Sequence, residues 1–200
     1  MFAEIRAAVV TMVLFTLFFG LAYPLAMTGI AGAAFPNQAS GSLVRDGAGH
    51  VIGSSLIAQA FAKPQYLHPR PSAAGNGYDP TASGGTNLGP MDPALAKRIA
   101  GDAASLRKDL PNNGNGADIP ADALTTSGSG LDPDVSPANA RMQVPRVAKA
   151  RGIPVAAVQA VIDAATGQPF LGFIGQPHVN VLAVNQALDV RYPEAQPAPR

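Results

Sequence analysis

Between Arg6 and Arg45 the chain runs for 38 consecutive residues without an Asp, Glu, Lys or Arg. The apolar part of this stretch, residues 7–30, is interrupted only by threonines, glycines and one proline. At ~1.5 Å rise per residue it reaches about 36 Å as a helix, enough to cross a hydrocarbon core of about 30 Å. Its apolar residues lie on all sides, which excludes an amphipathic surface helix, and its threonines can bond back to their own helix. Val13, Leu14, Leu17, Phe18 and Leu21 form the centre of the expected membrane anchor. Tyr23 and Pro24 fall late in the stretch, where an interfacial ring and a kink are tolerated. A cleaved secretory signal is the rival reading, because Ala31-Gly32-Ala33 supplies small residues for cleavage. The run is too long for a signal core of about 7–15 residues, and Glu4 weakens its positive flank. No second apolar run of comparable length follows. The positive-inside bias places the short tail, residues 1–6, in the cytoplasm and residues 31–200 outside as one soluble domain.

Only 14% of the chain is charged, against roughly 25% in an average soluble domain. The uncharged anchor accounts for part of that deficit; the rest suits a loop-rich domain partly covered by partners. The 21 glycines and 19 prolines argue against a long helical bundle. A net charge of +1 supplies no field to concentrate nucleic acid. The absence of cysteine excludes disulfides, thiol nucleophiles and cysteine metal sites.

Past the anchor, Ser42–Arg45 and His50–Gly53 predict two short strands around a glycine-containing turn. Residues 54–62 read equally as a continued strand or a short helix. Residues 63–90 are crowded with proline and glycine yet carry Tyr66, Leu67 and Tyr78, which predicts an ordered, packed loop. Asp92-Pro93 opens a helix over 93–109, ended by the run Pro111–Gly116. Ser136-Pro137 opens another to Arg151, bent at Pro145 and stopped at Gly152. Val155–Ala165 predicts a short helix, Phe170–Gly175 a strand, and Asn180 the cap of a last helix. The class is α+β: a single N-terminal transmembrane helix followed by one loop-rich, mixed α/β extracytoplasmic domain.

No catalytic constellation is visible. The helix pair around Gly152 has the outline of a helix-turn-helix with Arg141, Arg146, Lys149 and Arg151 on its first helix. Its second helix offers no Lys, Arg or Asn to base edges, so nucleic acid is not expected as a partner. His50, His68 and His178 sit on separate segments without metal-ligand spacing, so no metal site is expected. Ser105-Leu106-Arg107-Lys108 matches an S-x-x-K pattern by chance, since its companion motifs are missing. No phosphate-cradling P-loop sequence exists in the chain. Two segments, Ser83-Gly84-Gly85-Thr86-Asn87 and Ser127-Gly128-Ser129-Gly130-Leu131-Asp132-Pro133, could present backbone N–H groups to an anion or to a partner's backbone, or form ordinary turns.

The order of these features makes the chain closely resemble the C subunit of the bacterial Kdp potassium-transporting ATPase. The resemblance rests on the apolar helix ending near Tyr23-Pro24, on Arg70-Pro71-Ser72 with Tyr78, and on residues 83–90 and 125–137. It continues through Gln143-Val144-Pro145-Arg146 to Gly152, and through Gly175–Leu182 with Asn185–Asp189. Asp134 departs from the His or Asn frequent in that family. The resemblance implies a single-pass subunit of a bacterial inner-membrane complex, beside a channel-like potassium-binding subunit and a P-type ATPase subunit. It implies a role in assembly and as a catalytic chaperone raising ATP affinity, with potassium as the transported ion and no cofactor bound by this chain alone. The two glycine-serine segments, Gln143 and Arg146 then become candidate partner contacts. An outward-facing domain cannot touch cytoplasmic ATP, so its effect on nucleotide must be transmitted through the complex. A binding protein that is anchored or secreted, acting alone, is the alternative.

Overall fold

The computed structural model describes residues 2–110 and 118–193. The helix-ending run expected at Pro111–Gly116 lies outside the described residues. By contacts the chain divides into two compact units that meet in sequence at Ser54.

The first unit opens with one continuous 33-residue helix, Phe2–Ala34, which starts earlier and ends later than its apolar core and has no buried residue. It comprises α1 (Phe2–Leu17), a π-helical turn (Phe18–Ala22) and α2 (Tyr23–Ala34). The π turn falls where the sequence demands one. Pro24 has no N–H to donate and its ring crowds the carbonyl four residues back, so the preceding turn widens, and the Tyr23 N–H bonds to the Phe18 carbonyl. Thr28 Oγ1 donates to the Pro24 carbonyl at 2.8 Å, holding the helix beyond the proline. A one-turn helix, α3 (Pro36–Ala39), follows. The expected hairpin is present as β1 (Leu43–Arg45) and β2 (Val51–Ser54), antiparallel. Asp46 builds its turn, accepting from the Ala48 and His50 N–H groups at 2.9 Å each.

In the second unit, residues 55–62 settle as irregular chain rather than strand or helix. Three helices carry the core: α6 (Pro137–Arg151), α7 (Val155–Ala164) and α8 (Val181–Arg191), preceded by α4 (Pro93–Asp109) and the single turn α5 (Ala121–Leu124). Capping follows the sequence. The side chains of Asp92, Ser136 and Asn180 accept from the N–H groups of Ala94, Asn139 and Ala183. Helix α6 continues through Pro145 and ends on left-handed Gly152. Its inner face, with Val144 and Val147, packs against Val158, Val161 and Ile162 of α7 and Val184 and Leu188 of α8.

A three-stranded antiparallel sheet escapes sequence reading, because its outer strands are two residues each: β3 (Asp134–Val135), β5 (His178–Asn180) and β4 (Thr166–Gly167), with β5 central. The strand expected at Phe170–Gly175 is instead a tight turn closed by a Phe170–Ile174 bridge. Leu171, Gly172 and Gly175 all take positive φ there, so the segment reverses on itself instead of extending.

Leu188 is fully buried in this core, whereas Val190 on the same helix is 76% exposed. Leu188→Ala is expected to cost about 2–5 kcal/mol and Val190→Ala less than about 0.5. Denaturant titration of the detergent-solubilised chain measures both.

Candidate functional site

Most of the candidate contact residues in the second unit converge on one structure, the fastening of the long loop 63–90 onto the helical core. Its first half is a strap, residues 64–68. Gln143 on α6 and Asn185 on α8 each treat one strap residue as a β-strand partner would. Asn185 Oδ1 accepts from the Leu67 N–H at 2.7 Å and its Nδ2 donates to the Leu67 carbonyl at 3.0 Å. Gln143 Oε1 accepts from the His68 N–H at 2.8 Å and its Nε2 donates to the His68 carbonyl at 3.0 Å. Both amides are buried, and the Leu67 side chain between them is wholly enclosed. Each buried amide therefore has partners for both its donor and its acceptor.

Two arginines secure the remaining strap carbonyls. Arg146 Nη1 donates to the Pro64 and Tyr66 carbonyls at 2.7 and 3.0 Å, and its Nη2 donates to Gln143 Oε1 at 2.6 Å. Arg151, its side chain 1% exposed, donates Nε to the Gln65 carbonyl and pairs with Asp189 at 2.7 Å. Its guanidinium also lies 5.2 Å from the Tyr66 ring centroid. The basic face of the helix-turn-helix outline is thus largely committed to the chain's own backbone, and Arg141 faces Asp163 at 3.9 Å.

The second half of the loop closes on the other glycine-serine segment. Gly84 N–H and Ser83 Oγ both donate to the Ser129 carbonyl, at 2.8 and 3.0 Å. A Cβ on Gly85 would meet the Gly128 carbonyl oxygen at 3.3 Å. Gly130 is more tightly bound: its φ is +68°, and a Cβ there would lie 2.6 Å from the Gly84 oxygen and 2.7 Å from the Ala74 nitrogen. Ser72 Oγ donates to the Gly130 carbonyl and accepts from the Ala74 and Tyr78 N–H groups. The two segments thus bind each other, and Gly130 is the position where their approach leaves no room for a side chain.

Arg70 seals the clasp. It pairs with Asp132 at 2.9 Å and donates to the Thr125 and Thr126 carbonyls and to Thr125 Oγ1. Leu131 is buried, with its carbonyl accepting from the Ala58 N–H, and the Pro133 carbonyl accepts from the Val181 N–H. Thr86 is half-buried, and Asn87 takes a positive φ of 53°. Tyr78, also at positive φ, donates its hydroxyl to the Arg70 carbonyl at 2.8 Å, and burial pushes its phenol above the ordinary value. Asp134, the departure from the family pattern, accepts from Asn180 Nδ2 at 3.0 Å.

Val13, Leu14, Leu17, Phe18 and Leu21 all lie exposed on the long helix. The three histidines lie on the hairpin, the strap and β5; His50 contacts Asp46, and His178 packs over Gly167. One organising residue, Asp122, went unread in the sequence, and a second, Asn185, was marked there only as the start of a family-like segment. Asp122 on α5 accepts from the Ser136 N–H and Oγ and from Asn139 Nδ2, locking the start of α6. Asn185 lies 118 positions from the strap it clamps. No local pattern announces either contact.

These features define a class: a chain with, among the described residues, one membrane-capable helix, and with an α+β unit whose polar side chains fasten its own loops. Residues 5–190 match the family described as KdpC, the c chain of the K+-transporting ATPase. The chain is 64% identical over 193 residues to the potassium-transporting ATPase KdpC subunit of Caulobacter vibrioides, covering 96% of each chain. It is 56% identical over 197 residues to that of Beijerinckia indica, covering 98% of each. With that of Myxococcus xanthus it shares 50% over 196 residues, covering 96% of this chain and 90% of the relative. The chain belongs to the KdpC family and is a subunit of a Kdp potassium-transporting ATPase complex.

Gly130→Ala forces a Cβ into backbone at positive φ and is expected to cost clearly more than the roughly 1 kcal/mol of an unobstructed left-handed site. Gly152→Ala, at φ +66° with open space, supplies that reference. Their denaturation midpoints should rank in that order.

The raised phenol of Tyr78 has a defined pH signature. Its contribution is complete below the ordinary phenol value of 10.0 and is lost as pH rises through the higher folded value. Tyr78→Phe should cost about 1 kcal/mol at neutral pH through the lost hydrogen bond. The gap between the two proteins should then shrink above about pH 10, measured by denaturation at stepped pH.

Proposed function

We propose that the chain is a non-catalytic accessory subunit that assembles and stabilises the transporter. Residues 7–30 anchor it once in the bacterial inner membrane, residues 1–6 face the cytoplasm, and residues 31–200 form an extracytoplasmic domain. That domain bridges the channel-like potassium-binding subunit and the P-type ATPase subunit. As a catalytic chaperone it raises the ATP affinity of the ATPase subunit, with ATP bound at the level of the complex and potassium as cargo.

One observation carries the indirect nucleotide role: the two glycine-serine segments spend backbone groups on each other, as in the Gly84–Ser129 bond. A segment engaged in this way is a poor phosphate cradle, and an outward domain is on the wrong side for cytoplasmic nucleotide. The effect on ATP is therefore a coupling free energy through subunit contacts, about 1.4 kcal/mol for each tenfold change in affinity. Small residues of the anchor, Thr16, Gly20 and Ala22, let neighbouring helices approach closely.

Purification from gently solubilised membranes tests the reading. A stoichiometric complex with both other subunits supports it; a lone monomer would favour an anchored ligand-binding protein acting alone. Leu14→Arg or Phe18→Arg should abolish co-purification. Because the chain has no cysteine, Met91→Cys at a 92% exposed position reports orientation cleanly. Labelling of intact spheroplasts by an impermeant maleimide is expected, and labelling only after lysis would reverse the assigned topology.

A further inference from the structure

The turn between β4 and β5 carries an exposed apolar knuckle: Phe170, Leu171, Phe173 and Ile174 are 70%, 69%, 76% and 51% exposed. Four large apolar side chains in five positions differ from the scattered exposed apolar residues normal on a soluble surface. The knuckle is also rigid. Phe170 and Ile174 exchange two backbone hydrogen bonds of 2.9 Å, and Gly172 N–H bonds to the Pro169 carbonyl. Leu171 is held at a positive φ of 53°, a conformation that a non-glycine residue adopts only under constraint. At the base, His178 packs over Gly167, where a Cβ would meet the ring at 2.6 Å. Val179 of the central strand is fully buried, so the hairpin is mounted directly on the core.

Charge identifies what covers it. From Gln168 through His178, the largely exposed turn and its flanks, the chain has no Asp, Glu, Lys or Arg. A surface seated on lipid headgroups would bring Lys or Arg to anionic lipid and Trp or Tyr to the interface. This segment has neither, and the protein has no Trp. Phenylalanine-rich, charge-depleted surface is instead the composition of the core of a protein–protein interface. We propose that the Phe170–Ile174 knuckle inserts into an uncharged, apolar cleft on another subunit of the transporter. The inference rests on the reading of this chain as an assembling subunit. A preformed turn loses little conformational freedom on docking, so its two phenylalanines can act as anchors.

The test uses the intact, co-purified complex with a photo-crosslinking amino acid at position 173, and at position 91 as an exposed control. A 173-specific adduct to another subunit is expected. Adducts to lipid only, to a second copy of this chain, or to nothing while the complex still co-purifies would overturn the knuckle assignment and leave the accessory role standing. Failure of other subunits to co-purify with the unaltered chain would overturn both. Phe170→Ser with Phe173→Ser should loosen association by at least about tenfold without moving the thermal midpoint of the isolated chain. Undiminished association would contradict the proposal.

Discussion

The second unit depends on two side-chain amides reading two consecutive backbone residues. Asn185 and Gln143 close reciprocal hydrogen bonds on Leu67 and His68, from helices that already pack together through apolar residues. The strap thereby covers the α6–α8 core without becoming a strand, and Leu67 becomes part of that core. Such bonds contribute only about 1 kcal/mol each when made, but a buried amide left without partners costs about 1–3 kcal/mol. The penalty for misplacing the strap is therefore larger than the gain from any one bond, which makes its position specific.

From the strap the rest of the loop follows. Arg146 and Arg151 fix its earlier carbonyls, and Arg70 carries the chain to Asp132 and the Thr125–Thr126 backbone. Only then do Ser83–Gly85 and Ser127–Gly130 meet at the distances that exclude a Cβ from Gly130. The low charge of the domain acquires a meaning here. Several of its arginines and acids are spent internally on loop closure, Arg70 with Asp132 and Arg151 with Asp189 among them.

Much of the architecture was legible because it rests on local physics. The membrane-capable helix followed from length and hydropathy, and the caps at Asp92, Ser136 and Asn180 from short polar side chains before helical periodicity. The hairpin followed from its turn, and the ordered loop from aromatic residues that a solvated linker would not need. Phe170–Gly175 misled because apolar residues in a row satisfy a strand pattern; Leu171, Gly172 and Gly175 at positive φ fold them into a knuckle instead. The β3–β5–β4 sheet was invisible because two-residue strands carry no periodicity. Gln143 and Asn185 stood out only through family resemblance, Arg146 also as part of a basic cluster, and Asp122 not at all, since no local pattern shows what these side chains will meet.

The sequence by itself determined that one segment can cross a bilayer and that the chain is a charge-poor, loop-rich α+β member of the KdpC family. Those properties depend on composition and on patterns a few residues long. Only the tertiary structure decided that the glycine-serine segments bind each other, that the basic helix holds a strap through Arg146 and Arg151, and that four apolar residues project as a rigid tip. The reason is that hydrogen-bond partners and packing surfaces are set by which distant residues meet, and loop closure brings Leu67 to Asn185 across 118 positions.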